Sequence, residues 1–184
     1  MNTSPPLQPT LWRTCRVLAN RTRLEIFRLL LHNPGQTVTE VAKQLHHPLS
    51  LTSEYLRSLE ARGLLVVKRV GPTAKYQLGS VASGAGLVAA LRLTIRQDPA
   101  SLDTIFRLTT AFTHPRRVEI FRSLQAAPRS PEQLQVTCHI SYRALQRHLK
   151  KLLARGFITL DKGMVAVAKR NDRLGRELAR LARQ

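Results

Sequence analysis

Two stretches of the chain are near copies of each other: RLEIFRLL at residues 23–30 and RVEIFRSL at residues 117–124. An arginine, a glutamate, an isoleucine, a phenylalanine, a second arginine and the final leucine recur at an offset of 94 residues. A second pair, YLRSLEARGLLVV at residues 55–67 and HLKKLLARGFITL at residues 148–160, recurs at an offset of 93 residues. Because the two matches are colinear and differ by one residue, the sequence predicts two copies of a unit of about 90 residues, with the gap in a loop.

The first copy has the pattern of several short helices followed by a hairpin. Apolar residues at helical spacing predict the helices, Thr37 and Glu40 form a predicted capping box, and Gly63 is expected to end the fourth helix. After Gly63 the apolar period changes to two, which predicts two strands, with a turn at Gly71 and Pro72. Residues 79–86 are expected to be a flexible connection. The expected helices cover residues 11–19, 24–31, 38–45, 49–62 and 87–96, and the expected strands residues 64–70 and 74–78. The expected buried face of the fourth helix consists of Leu49, Thr52, Leu56 and Leu59.

The second copy repeats this order. Ser101 is expected to cap its first helix and Gly156 to end its fourth. The expected helices cover residues 101–112, 115–125, 131–138, 141–155 and 172–183, and the expected strands residues 157–160 and 164–168. A hairpin behind a helix-turn-helix is a wing, so the predicted fold class is mainly α with small β-hairpin wings, a tandem winged helix-turn-helix. The predicted domains are a disordered tail at residues 1–10, a first module at residues 11–97 and a second module at residues 98–184.

Charge is the strongest compositional signal. Thirty lysines and arginines against eleven acidic residues give a net charge of +19 and a pI near 11.6. Residues 1–80 carry +7, residues 81–110 carry +1 and residues 111–184 carry +11, so two basic blocks flank a nearly neutral middle. Such a surface favours nucleic acid as a partner, with an acidic membrane as the second candidate. Two unpaired cysteines and the absence of a signal-peptide pattern or an apolar span predict a cytoplasmic, nucleoid-associated protein without a membrane partner.

The order of elements and several motifs resemble the ArsR-type winged-helix repressors. The residues that carry the likeness are LANRTRLEIFRLL at 18–30, VTEVAKQL at 38–45 and EYLRSLEARGLLVVKRVGPTAKYQL at 54–78 in the first copy, with HPRRVEIFRSL and SYRALQRHLKKLLARGFI in the second. The resemblance implies a winged fold and DNA binding, and it names no effector. Metal-sensing members carry cysteines before the recognition helix, or histidines and acids after the wing. Neither set is present here, so no metal site and no cofactor are expected.

The fourth helix of each copy is the predicted recognition helix, because a major groove admits one α-helix whose exposed donors and acceptors read base edges. In the second copy this helix has five basic residues and no acid, whereas in the first copy two glutamates balance two arginines. The wing of the first copy is expected to compensate by meeting phosphates or the minor groove. The predicted DNA-binding residues are Ser50, Ser53, Arg57, Lys68, Arg69, Lys75, Tyr142, Arg143, Gln146, Arg147 and Lys150. His148 is expected to touch phosphate rather than metal.

No catalytic residues are predicted, because the sequence lacks a phosphate-binding glycine loop, an HExxH motif, a Gly-x-Ser-x-Gly motif and paired carboxylates on one face. The predicted function is sequence-specific binding of double-stranded DNA by a transcriptional regulator. Two alternatives remain open, a DNA-coating protein without sequence preference and a winged-helix module that binds protein.

The helices at residues 87–96 and 101–112 are expected to pair the modules. They could form a pseudo-dimer within one chain, which favours an asymmetric DNA site, or a homodimer, which favours a palindrome.

Overall fold

The computed structural model describes residues 10–79, 85–98 and 100–184, and within them it is mainly helical with two small antiparallel hairpins. The first half contains α1 (Leu11–Leu18), α2 (Arg21–His32), α3 (Val38–Leu45), α4 (Leu49–Glu60), β1 (Leu65–Val70), β2 (Thr73–Leu78) and α5 (Ala85–Gln97). The second half contains α6 (Ser101–Thr109), a 3₁₀ turn (Thr110–Phe112), α7 (Pro115–Ser123), α8 (Pro131–Thr137), α9 (Tyr142–Ala154), β3 (Ile158–Asp161), β4 (Met164–Val167) and α10 (Arg173–Arg183). The mainly α fold with small hairpins is confirmed.

Local side-chain chemistry sets where α3 and α4 begin and end. Thr37 and Glu40 form the predicted capping box, since the Thr37 hydroxyl accepts from the Glu40 N–H and the Glu40 carboxylate accepts from the Thr37 N–H. These bonds satisfy two backbone donors that the first turn leaves without helical partners. α3 ends at His46, whose φ of 54° is left-handed. After α4, Gly63 has a φ of 68°, a conformation that glycine adopts without a Cβ clash, and this turns the chain into β1.

The same devices recur in the second half. Ser130 and Gln133 form a capping box at α8, His139 has a φ of 46° after that helix, and Gly156 has a φ of 68° after α9. Each of these residues lies 93 positions after its counterpart in the first half. Because the same capping boxes, left-handed histidines and glycine turns stand at equivalent positions, α8 begins and ends as α3 does, and α9 ends as α4 does.

A half-buried arginine at the start of each repeated motif holds the end of the preceding helix. The Arg23 guanidinium donates to the carbonyl oxygens of Arg16 and Val17, at 3.5 and 3.3 Å. Arg117 donates to those of Thr110 and Ala111, at 3.3 and 2.5 Å. Carbonyls in the last turn of a helix lack helical donors, so the arginine satisfies them and favours its own positive charge near the helix C-terminus.

The two hairpins differ in length. β1 pairs with β2 from Leu65 opposite Leu78 to Val70 opposite Thr73, whereas β3 and β4 form only four residue pairs. Each hairpin is joined to its helices by one further bridge, Gln36 with Tyr76 and Arg129 with Val165. The second hairpin therefore projects less far from its helices.

One continuous hydrophobic core runs through both halves. In the second half its centre is an aromatic trio, in which the Phe112 ring lies 5.3 Å from that of Phe121 and 4.7 Å from that of Phe157, both edge to face. All three side chains are fully buried. Edge-to-face geometry is favoured by the ring quadrupoles, so the trio fixes α7 against the start of the second hairpin.

The two halves pack through α1, α5, α6 and α10. α5 lies against both α6 and α10, and α6 also contacts α1 and α2. Across the α2–α6 contact Arg21 forms an ion pair with Asp103, and its guanidinium lies 5.4 Å from the centre of the Phe106 ring. The carboxylate of Glu177 on α10 lies against Gly86 of α5, so a side chain at Gly86 would displace that carboxylate. The helices that flank each hairpin unit thus meet inside one chain.

Three expectations about local structure are wrong. Leu49 is 54% exposed, because the first turn of α4 extends past the core that covers Thr52, Leu56 and Leu59. Ser101 does not cap α6: the N-cap residue is Ala100, and the Ser101 side chain is buried in the first turn. Gly86 belongs to α5 rather than to a flexible connection. The rest of that connection, residues 80–84, and residues 1–9 of the predicted disordered tail lie outside the described residues.

Candidate nucleic-acid interface

Helix α9 presents a cationic face opposite a buried apolar face. Leu145, Leu149 and Leu152 are buried against the core, which fixes the rotation of the helix. The opposite face exposes Tyr142, Arg143, Arg147 and Lys150, with Gln146 half-buried beside them. No carboxylate lies between residues 141 and 155, so these cations have no acidic neighbour on their own helix. Arginine can donate two hydrogen bonds to guanine and glutamine can pair with adenine, so this face has the chemistry for reading base edges.

Helix α4 presents a more polar and neutral face. Ser50 and Arg57 are exposed and Ser53 is half-buried. The Arg57 Nε donates to the Ser53 carbonyl at 3.3 Å, which draws the guanidinium back along its own helix. Glu54 and Glu60 are exposed on the same helix, so the charges of α4 cancel. This surface can offer hydroxyl groups and one arginine to DNA, with little net attraction for phosphate.

The first hairpin carries the positive charge that α4 lacks. Lys68 on β1 stands directly opposite Lys75 on β2, and Arg69 is the next residue along β1. All three side chains are exposed. Like charges placed opposite each other destabilise a strand pair, so an anion between them would relieve the repulsion. The tip of the second hairpin is neutral by comparison, since Asp161 and Lys162 offset each other there.

The structure packs one side of His148 against the neighbouring helix α7, and the expectation that it touches phosphate stays a prediction. Its half-buried ring lies 4.7 Å from that of His114, the N-cap residue of α7. Burial, together with the charges of His114, Arg117 and Arg147, lowers the pKa of His148 to about 4. The ring is therefore uncharged at neutral pH and contributes no charge to the attraction for phosphate. Sequence spacing could not reveal this, because the contact joins residues 34 positions apart.

The predicted interface did not include the arginines of α10. α10 carries Arg173, Arg176, Arg180 and Arg183, all with exposed side chains. Their spacing of three and four residues is visible in the sequence and indicates a single stripe on a helix.

Features of a metal, membrane or reactive-thiol site are scarce in the described part of the chain. Among residues 10–79, 85–98 and 100–184, no group of three or more histidine, cysteine, aspartate or glutamate side chains is placed to hold a metal ion. Within the same ranges no helix is both long and apolar enough to cross a membrane. Both cysteines are buried, and burial raises the pKa of each thiol. A raised thiol pKa lowers the fraction of thiolate, which is the reactive form.

Comparison with known proteins gives one family match, in the first half of the chain, and one relative that shares a short segment. Residues 20–66, which run from the start of α2 into β1, match the family of winged helix-turn-helix DNA-binding domains. A segment of 56 residues is 41% identical to an uncharacterized HTH-type transcriptional regulator of Methanocaldococcus jannaschii. That segment is 30% of this chain and 14% of the relative, so the chain spans only a small part of the relative's length. Residues 20–66 contain α2, α3, α4 and the first two residues of β1, so the match to a winged helix-turn-helix DNA-binding domain agrees with the helices seen there and with the hairpin that follows.

Proposed function

We propose that the chain is a sequence-specific, double-stranded DNA-binding transcriptional regulator of the ArsR-like type, without a metal-sensing site. The observation that carries this proposal is the exposed face of α9, where Arg143, Arg147 and Lys150 stand without an acidic neighbour on a helix that is followed by a hairpin. The matched DNA-binding domain supports the same function for the first half, and the relative named as a transcriptional regulator supports it for the chain as a whole.

We also propose that the second half is a second winged helix-turn-helix module. Its support is the recurrence of equivalent features: the capping box at Ser130, the left-handed His139, the Gly156 turn and the arginine clamp at Arg117. These recur together with the helix order and a hairpin, so a common fold explains them better than independent coincidences would.

The two modules would act as a pseudo-dimer inside one chain. α5 and α10, which follow the two hairpins, pack against each other, and α1 packs against α6. In a homodimer these helix faces would have to be free for a second copy, whereas here each is covered by its counterpart in the same chain. A twofold relation between the modules would set α4 and α9 in neighbouring major-groove turns, about 34 Å apart. Because the exposed side chains of the two helices differ, the preferred DNA site would be asymmetric.

The test is selection of binding sites from a pool of random duplexes, combined with sizing of the complex. The proposal expects a defined, non-palindromic site bound by one copy of the chain. A shallow preference among all duplexes would instead favour a DNA-coating protein, for which the net charge of +19 supplies the attraction. Absence of binding to any duplex at low salt would contradict DNA binding and favour a protein-interaction module.

A further inference from the structure

Helix α10 has one strongly cationic side. Its arginines follow each other at intervals of three and four residues, which places them on one stripe of a helix with 3.6 residues per turn. The opposite side of α10 is buried against the rest of the molecule through Leu174, Leu178 and Ala182. The packing therefore fixes the arginine stripe toward solvent. We call Arg173, Arg176, Arg180 and Arg183 the α10 stripe.

Little negative charge neutralises the α10 stripe. Arg180 is held by Glu177, whose two carboxylate oxygens accept from the guanidinium at 2.9 and 2.8 Å. Within the described part of the chain, no ion pair joins Arg173, Arg176 or Arg183 to a carboxylate. Three arginines on one surface repel each other, so an anionic partner would lower the energy of this arrangement.

A groove continues the α10 stripe toward the second hairpin. Arg176 and Arg183 line this open groove of about 400 Å³ together with Lys169 and Arg170, and its remaining lining is Val167, Ala168 and Ala179. No carboxylate-bearing residue lines it. Arg170 is held in place, since it donates to the carbonyl oxygens of Arg155 and Gly156 at 2.9 and 2.8 Å and stacks over Phe157 at 4.6 Å. Its charge is offset by an ion pair with Asp172. Among the described residues, the cations of the groove that carry an unpaired charge are therefore Lys169, Arg176 and Arg183.

The α10 stripe and the recognition helix of its own half rest largely on different elements. α10 packs on α1, α5, α6 and α7, whereas α9 packs on α7, α8 and β3. α7 is therefore the main support that the two helices share. On this basis we assign separate duplexes to the α9 face and to the α10 stripe.

We propose that the α10 stripe and its groove bind the phosphate backbone of a second DNA segment, so that one chain holds two duplexes together. This inference rests on the proposed function, because it presumes that a first duplex occupies the α4 and α9 surfaces. Guanidinium groups form bidentate hydrogen bonds with phosphate, and arginine suits this contact better than lysine does. The stripe spans ten residues, or about 15 Å at 1.5 Å per residue. That length covers about four nucleotides of one strand at 3.4 Å each.

Charge and shape favour a polyanion over an acidic protein partner. The cations form a straight, evenly spaced row, which matches the regular repeat of phosphates along a strand. Protein interfaces, by contrast, usually combine arginine with tryptophan or tyrosine anchors in a buried centre, and the stripe carries no aromatic residue.

The test is a bridging assay with the full chain. A biotinylated duplex with the selected site is fixed to beads, and a fluorescent duplex of unrelated sequence is added with the protein. The wild type should retain the fluorescent duplex. The variant R173Q/R176Q/R183Q, which keeps the Arg180–Glu177 pair, should retain about tenfold less, and the salt slope of second-duplex binding should fall by about 2.7 units, since each phosphate contact contributes about 0.9.

The matched control is R28Q/R92Q/R122Q, which removes the same charge from exposed positions on α2, α5 and α7. It should bridge as the wild type does, and both variants should bind a single short duplex within about twofold of the wild type. Equal bridging by the stripe variant and the wild type would overturn the proposal, as would a wild type that retains no second duplex. A stripe variant that also loses binding to the single duplex would place the stripe on the first duplex instead. If the wild type bound no duplex at all, the proposed function itself would fail.

Discussion

Replacement of Arg147 by alanine isolates the contribution of one recognition-helix side chain. Arg147 is exposed on α9, and its neighbours Leu145 and Leu149 stay buried, so the fold should not depend on it. The free energy of unfolding should therefore change by less than about 0.5 kcal/mol, as for other surface substitutions. No acid on α9 competes for the guanidinium, so its full bidentate contact with a base is available to DNA.

A bidentate contact of this kind discriminates between bases by about 1–3 kcal/mol. On that basis Arg147→Ala should weaken binding to the selected duplex by about 5- to 150-fold, at about 1.4 kcal/mol per factor of ten. The measurement is fluorescence anisotropy with the selected duplex and with a set of duplexes changed at one base pair each. The variant should lose its preference at one position and keep it at the others.

Arg28→Ala serves as the control, because Arg28 is exposed on α2 and belongs to no predicted contact. It should bind within about twofold of the wild type. The reasoning would be refuted if Arg147→Ala bound the selected duplex as tightly as the wild type. It would also be refuted if the loss were the same for every duplex, since a uniform loss indicates a phosphate contact and not a base contact.

Three further outcomes are expected. Lys68→Ala should weaken binding to all sequences alike and lower the salt slope by about one unit in anisotropy titrations, because it removes one phosphate contact. It should not destabilise the hairpin, because it removes one of two like charges placed opposite each other. Phe157→Ala should lower the free energy of unfolding by about 3–5 kcal/mol in chemical denaturation, since the ring is fully buried between Phe112 and Phe121; a loss under 1 kcal/mol would contradict the packing. His148 should titrate in NMR with a pKa of about 4. Because this folded-state pKa lies below the unfolded value, the unfolded chain binds more protons than the folded chain between about pH 4 and 6.5. The free energy of unfolding should therefore fall as the pH is lowered through that window, and His148→Gln should reduce the fall.

The local parts of the fold were predictable because their signals are contained within a few residues. The capping box at Thr37 and Glu40, the turn at Gly63 and the buried leucines of α9 each follow from spacing and backbone preference. The exposure of Arg143 and Arg147 follows from the same helical period, since the buried leucines fix the opposite face.

Two of the features that sequence reasoning missed depend on the packing of the whole chain. Periodicity places Leu49 on the apolar face of α4, yet that turn extends past the core and leaves the side chain in solvent. His148 packs against His114 from another helix. Neither feature leaves a local trace in the sequence. The start of α6 is a local case: the N-cap is Ala100, one residue before the expected cap, and Asp98 accepts from the Ala100 N–H.

If one chain carries two different DNA-reading helices, a hydroxyl-radical footprint of the one-to-one complex on the selected duplex should show two protected segments of unlike sequence, centred about one helical turn apart. Arg57→Ala should alter one of these segments and Arg147→Ala the other. A single protected segment, or two segments of a palindrome that appear only when a second copy of the chain binds, would contradict the presence of two DNA-reading helices in one chain.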